Sequence, residues 1–231
     1  MTHHYPLRYL CGHSLQSSVA AAWLLACLAA LPGLALAQSA PQAPAPSTAV
    51  PSAESSAPDA RGALAPAELA RALRKGGYVV YFRHTSTDMS QSDSGMKSYA
   101  DCGNQRMLNA KGRNEARAVG SRVAALKLPG DEVLASPMCR TLETARLMFG
   151  TVKPQNDLRE GSSGDYPGLK KMLATPVAAG GNRWIVGHGI PFRAVAGAPH
   201  LAEGEAAVVL PEGSGWRVVA RVLPGDWPVL K

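Results

Sequence analysis

Residues 9–53 contain no Asp, Glu, Lys or Arg. A chain segment of that length without charge cannot clothe a water-facing fold, so the charged remainder has to supply the domain and the chain reads as two unlike parts. Inside the uncharged stretch an apolar run covers residues 19–31, preceded by a start whose one charged residue is Arg8. Pro32-Gly33 breaks the run, and Ala35-Leu36-Ala37 places small residues where a signal peptidase needs them. This is the pattern of a secretory signal, cleaved after Ala37. An uncleaved membrane anchor is the alternative; the Pro-Gly interruption and the small-x-small ending favour removal. Lipid attachment at Cys27 is a weaker reading, because apolar sequence continues beyond it where a lipoprotein turns polar.

Residues 38–60 hold 7 Ala, 5 Pro and 5 Ser, which is 17 of 23 positions, with Val50 as the one bulky aliphatic. Such a segment cannot bury enough apolar surface to offset chain entropy, so residues 38–62 are read as a disordered linker, semi-extended at its prolines. The domain is residues 63–231. Hydrophobic residues make up 46% of the whole chain, enough for one sizeable core. Lys and Arg number 24 against 17 Asp and Glu, a net +7; losing residues 1–37 removes one Arg and leaves 23 − 17 = +6. A basic domain suits anionic partners, but no run of five or six basic residues occurs, which argues against a nucleic-acid arm. Removal of residues 1–37 also leaves no stable membrane span.

Four cysteines occur, and Cys11 and Cys27 leave with the signal. In an oxidising compartment Cys102 and Cys139 are expected to form a disulfide, stabilising the fold by roughly 4 kcal/mol on the chain-entropy account. Two separate buried thiols are the alternative. No C-x-x-C is present and no Cys/His spacing suits zinc, so neither redox catalysis nor a structural metal is supported.

The rest alternates between helices and strands. Pro66 opens a helix over residues 67–74 that ends at Gly76-Gly77, and Tyr78-Val79-Val80-Tyr81-Phe82 follows as a strand buried on both faces. Asn109 caps a helix over residues 111–126, with Ala116, Val119, Val123 and Leu126 on one side. Glu132-Val133-Leu134-Ala135 is a second strand, Pro137 starts a helix to Phe149, and Trp184-Ile185-Val186 is a third strand. Residues 206–210 and 216–222, separated by Pro211-Glu212-Gly213-Ser214-Gly215, form a closing hairpin. The fold class is α/β, a three-layer α/β/α sandwich on a mostly parallel sheet with a C-terminal hairpin.

Chemistry in such folds gathers at the carboxyl ends of strands. There the sequence places Arg83-His84-Thr85, then Ser136-Pro137-Met138-Cys139-Arg140-Thr141, then Gly187-His188-Gly189. Arginine forks match phosphate oxygens, and Arg140 lies in the first turn of a helix whose amino end favours an anion. Two histidines and two arginines from three strand ends describe a phosphate pocket.

Tyr81-Phe82-Arg83-His84, residues 105–116 (Gln105-Arg106-Met107-Leu108-Asn109-Ala110-Lys111-Gly112-Arg113-Asn114-Glu115-Ala116), residues 136–145 and Gly187-His188-Gly189, in that order, resemble the histidine phosphatase superfamily, whose founding members are the cofactor-dependent phosphoglycerate mutases. The resemblance implies that His84 is the nucleophile that becomes phosphohistidine, that Arg83, Arg140 and His188 hold the phosphoryl oxygens, and that neither metal nor cofactor is required. Leu158-Arg159-Glu160-Gly161 is similar to the family's segment bearing the acid that protonates the leaving oxygen; Glu160 is the candidate and Asp88 the second choice. Thr85 stands where a glycine is common, with a hydroxyl able to reach phosphate. Gln105-Arg106 is expected to border the pocket, drawn there by the Cys102–Cys139 bridge, with Arg106 as a plain surface charge the alternative. About 37 residues between the Arg140 helix and the His188 strand leave little room for the capping insertion of a mutase, so an open pocket and hydrolysis are expected. The function read is an exported, periplasmic or secreted phosphomonoesterase. Its substrate would be a phosphosugar, an envelope glycolipid phosphate or a phosphoprotein, the last including phosphohistidine proteins. A non-catalytic phosphate-binding or envelope scaffold domain is the competing class.

Overall fold

The computed structural model describes residues 64–130, 132–161 and 164–231. The expected signal and linker, with Ala37 and Cys27, lie outside the described residues. Among the described residues no helix is long and apolar enough to cross a membrane.

Helix α1 (Pro66–Lys75) opens on proline, which needs no amide partner in the first turn, and ends at Gly76, whose φ of 77° is open to glycine at little cost. Strand β1 (Val79–Arg83) follows. Then come α2 (Ala110–Ala125), β2 (Glu132–Ala135), α3 (Cys139–Phe149) and the short β3 (Lys153–Pro154). The chain continues through α4 (Pro167–Ala174), β4 (Arg183–Gly187), α5 (Gly189–Ala196), β5 (Ala206–Glu212) and β6 (Gly215–Val222). All six strands form one sheet in the order β3-β2-β4-β1-β5-β6, parallel from β3 to β1 and antiparallel from β1 to β6.

Unbroken apolarity in β1 has the cause the sequence suggests. Val80 and Phe82 pack into one core with Leu69, Leu73, Ala116, Val119, Ala145 and Trp227, under α1, α2 and α3. Val79 and Tyr81 pack into another, with Leu169, Leu173 and Phe192 under α4 and α5. Both faces of the strand are therefore dry, and the three-layer α/β/α sandwich is the fold.

Apart from 3-10 turns, the structure adds three elements to those read from sequence: β3, α4 and α5. Helices α4 and α5 have eight residues each, too short for periodicity to declare them. In α5, Pro191 sits in the first turn, where its missing N–H costs nothing. Pro137 does not begin a helix as expected; α3 starts at Cys139, because Thr141 turns its hydroxyl back onto the carbonyls of Ser136 and Met138, both at 2.7 Å. The hairpin is tighter than expected, with Pro211 and Glu212 inside β5. Between α3 and β4 the described residues hold only β3, one 3-10 turn and α4, so no large cap covers the sheet end.

Candidate active site

Strands β2, β4 and β1 are parallel neighbours, and their carboxyl ends open on one edge. The β1/β4 register pairs Arg83 with Gly187, so the next residues, His84 and His188, emerge side by side with ring centroids 5.6 Å apart. Gly187 must be glycine, since a Cβ there would lie 2.1 Å from the Tyr81 hydroxyl. That hydroxyl accepts from the His188 amide and donates to its carbonyl, both at 2.9 Å, fixing the backbone that carries the ring. Burial raises the Tyr81 pKa, which keeps this clamp protonated.

His84 is almost fully buried, and its Nδ1 lies 3.0 Å from the Thr85 carbonyl. A carbonyl can only accept, so Nδ1 carries the proton and Nε2 keeps its lone pair, with no protein partner among the described residues. Burial pushes the His84 pKa down to about 3; the Thr85 carbonyl opposes this, and the charges of Arg140, Arg83 and Arg106 add to it. The ring is neutral at physiological pH, the state in which an imidazole can act as a nucleophile. His188 is likewise pushed well below its ordinary value, by burial first and then Arg140. Its Nε2 sits 2.9 Å from Ser136 Oγ, and with that hydroxyl donating, Nδ1 becomes a donor.

The segment of residues 84–87 is supported by the residues 105–116 motif. Asn109 caps α2 by accepting from the Gly112 amide, and its Nδ2 donates to the Thr87 carbonyl. Ser86 donates through its amide and hydroxyl to Glu115, which also holds Lys111. Gly112 is required because a Cβ there would fall 2.0 Å from the Ser86 carbonyl oxygen. Arg113 joins Glu143 at 2.7 Å and ties α2 to α3.

Arg140, one residue into α3, is 2% exposed; its Nη1 donates to both oxygens of Asp93, at 3.0 and 3.1 Å. Its Nη2 lies 3.9 Å from Glu160, whose other oxygen is 3.7 Å from His188 Nδ1. Both separations exceed a hydrogen bond, and Glu160 is 42% exposed at the pocket edge. Arg83 donates to the Leu201 carbonyl at 2.8 Å. Three buried polar atoms of this set, Arg83 Nε, Arg140 Nε and His188 Nδ1, have no hydrogen-bond partner.

The expected site residues meet, with two corrections. Thr85 does not offer its hydroxyl to phosphate: Oγ1 bonds to Thr144 Oγ1 at 3.2 Å, because the side chain points under α3, and its contribution to the pocket is the carbonyl on His84. Asp88 turns away, accepting from the Ser90 hydroxyl and amide, and these bonds hold its pKa low, the wrong direction for a proton donor. Arg106 borders the pocket, donating to Thr87 Oγ1 and lying 3.4 Å from Glu203. Gln105 is a strut, accepting from the Cys139 amide and donating to the Tyr99 carbonyl. Cys102 and Cys139 are bridged, Cα atoms 5.7 Å apart. Two carboxylates, Asp93 and Glu203, escape sequence reading, since neither belongs to a strand end or a periodic pattern. The described residues contain no group of three or more His, Cys, Asp or Glu side chains able to hold a metal.

A family model described as the histidine phosphatase superfamily (branch 1) matches residues 79–184. No curated protein sequence matches the chain. Among solved structures, the protein histidine phosphatase SixA complexed with tungstate is similar at 18% identity and TM-score 0.45, covering 64% of this chain and 98% of its own. The alpha-ribazole phosphatase from Shigella flexneri is similar at 18% identity and TM-score 0.42, covering 62% of this chain and 95% of its own. The phosphoserine phosphatase from Entamoeba histolytica, in complex with 3-phosphoglyceric acid, is similar at 13% identity and TM-score 0.45, over 62% and 95%.

Proposed function

We propose, from the match of residues 79–184 to the histidine phosphatase superfamily (branch 1), that this phosphatase is a metal-independent phosphomonoester hydrolase that works through phosphohistidine on His84 and acts outside the cytoplasm. The observation that carries the reading is the set of buried polar atoms left without partners around the His84 ring: Arg83 Nε, Arg140 Nε and His188 Nδ1. An unsatisfied buried donor costs about 1 to 3 kcal/mol, and a phosphoryl group brings three oxygens to receive them.

Chemistry follows from that arrangement. The His84 Nε2 lone pair attacks phosphorus, and the ester P–O bond breaks with its electron pair leaving on oxygen. Glu160, beside His188 and Arg140, supplies the proton. Arg83 and Arg140 neutralise charge on the equatorial oxygens, the neutral His188 donates to them from Nδ1, and positioning does most of the remaining work. Water then attacks phosphorus, returning the N–P electron pair to Nε2 and its own proton to Glu160. The absence of a large cap among the described residues supports hydrolysis over transfer, because water can reach the intermediate. Export rests on the uncharged amino-terminal pattern ending at Ala37. A basic pocket outside the cytoplasm suits phosphosugars, envelope glycolipid phosphates or phosphoproteins as substrate.

Rapid quenching at high pH during turnover tests the mechanism, since a phosphoramidate survives base and not acid. Label is expected on the peptide containing His84, with EDTA present throughout, and His84→Ala is expected to abolish both label and turnover. Activity that dies with chelation, or that persists in His84→Ala, overturns the reading.

A further inference from the structure

Resting on the phosphohistidine reading, we propose that Glu203 is a positioning residue for the nucleophile, the countercharge that steadies the His84 ring while it carries the phosphoryl group. Glu203 Oε1 is a hub: Thr87 Oγ1 donates to it at 2.7 Å, Arg106 Nη1 is 3.4 Å away, Arg83 Nη2 3.6 Å and His84 Nδ1 4.0 Å. Its second oxygen accepts from the Thr87 amide at 3.2 Å.

Resting His84 is neutral, so the Nδ1 contact is no ion pair in the free enzyme. It becomes one during catalysis. When Nε2 gives its lone pair to phosphorus and the ester oxygen leaves, the ring still holds its Nδ1 proton and is left positively charged. The charged groups facing that ring are Arg83 from β1, Arg106 from the loop before α2 and Arg140 from α3, with His188 from the end of β4; all three arginines oppose a cation there. Asp93 lies on Arg140 and Glu160 on Arg140 and His188, away from Nδ1. Glu203 is the carboxylate on the Nδ1 side, where Thr85 supplies only a carbonyl dipole.

Its placement is fixed before substrate arrives. The Gly204 amide donates to the His84 carbonyl at 2.9 Å and the Arg83 amide to the Glu205 carbonyl at 3.0 Å, so backbone joins Glu203's flanks to the strand that carries the nucleophile. Gly204 has φ of 78°, and a Cβ there would meet Pro224 at 2.7 Å. A charge held this way needs no reorganisation when the ring becomes cationic.

The test uses 4-nitrophenyl phosphate, whose phenolate leaves without a proton and so keeps Glu160 out of the formation step. In Glu203→Gln the rate of phosphoenzyme formation and kcat/KM are expected to fall about 10- to 100-fold, as for loss of one preorganised charge contact. Hydrolysis of the trapped phosphoenzyme should be no slower, because the same loss destabilises the intermediate. Inhibition by inorganic phosphate should stay within about threefold of wild type, and Glu203→Asp should recover much of the formation rate. Thr87→Val, which removes the hydroxyl holding Oε1, is the second variant if Glu203→Gln does not fold, with a smaller loss of the same kind. Equal slowing of both half-reactions, weakened phosphate inhibition with formation unchanged, or no change at all overturns the proposal. Wild-type protein that never labels His84 overturns the phosphohistidine reading instead.

Discussion

Two loops carry the proposed nucleophile and the proposed acid, and they are held very differently. In the segment that follows β1, residues 84–87 are buried and each has its backbone or side chain bonded to another element: His84 to Gly187 and Gly204, Thr85 to Thr144, Ser86 to Glu115 and Asn109, Thr87 to Glu203 and Asn109. The segment that carries Glu160 stands at the edge. Arg159 bonds locally to the Asn156 carbonyl, Tyr166 reaches back to the Gly161 carbonyl, and the Glu160 carboxylate touches Arg140 and His188 only at 3.9 and 3.7 Å. On the proposed mechanism the nucleophile needs one tautomer and one line of attack, which fits its being built into the sheet. The proposed acid, Glu160, would have to meet leaving groups of differing shape and exchange a proton with water, which a buried carboxyl does poorly.

Removing the proposed acid breaks that comparison most directly. Glu160→Gln is expected to lower kcat/KM for alkyl phosphates by about 10²-fold or more and to spare aryl phosphates to within a few fold, because phenolate departs unprotonated. Steady-state rates on the two substrate classes decide it. Equal losses would mean that Glu160 acts on the phosphoryl oxygens through Arg140 rather than on the leaving oxygen.

The same contrast explains how much was legible. The strand ending at Phe82 and the Asn109 cap are readable from the residues themselves, as a doubly buried apolar run and a helix start, while the rest of the residues 105–116 motif is readable only by resemblance, its Gly112 explained once the structure puts the Ser86 carbonyl where a Cβ would go. Glu160 is readable only through a family resemblance. Glu203 lies 119 positions from His84 in an aperiodic turn, and its role exists only once β5 pairs beside β1. Thr85 misled for a related reason: a hydroxyl next to a nucleophile suggests a phosphate contact, and only the packing of Thr144 on α3 reveals otherwise. Helices α4 and α5 stayed hidden because two turns of helix carry too few apolar positions to separate from loop.

The disulfide adds a third attachment and sharpens the comparison. It joins the loop containing Asp93 to α3, and Gln105 reinforces it by accepting from the Cys139 amide. Cys102→Ser or Cys139→Ser is expected to cost roughly 4 kcal/mol of stability, for a closed loop with a separation of 37 residues. Urea midpoints of oxidised protein and variants measure it. Activity should fall as well, since Asp93 orients the Arg140 guanidinium. Unchanged midpoints would show that Gln105 and the α2/α3 packing alone secure this end of the site.

The smallest expected effect concerns protons. His84, pushed down to about 3 by burial, is neutral in the folded protein across the physiological range. An unfolded chain binds a proton at that histidine near pH 6.5. Its contribution to stability is therefore complete above about 6.5 and is lost as pH falls below it, continuing toward the folded value, since the unfolded state binds the extra proton throughout that window. His188 shifts in the same direction and adds to the slope. Asp88 is held low by bonds from Ser90, and Glu115 is net lowered because Lys111 and Ser86 together outweigh its burial, the largest single influence. Their contributions begin to be lost only near the ordinary carboxylate range, below the histidine window. Between pH 7.5 and 5 wild type is expected to lose about 2 kcal/mol more than His84→Asn, from one proton at about 1.4 kcal/mol per pH unit. Urea unfolding of both proteins at the two pH values gives the difference directly. Identical pH slopes would mean that the His84 ring takes up a proton in the folded state, with Glu203 already serving as its counterion before any phosphoryl group arrives.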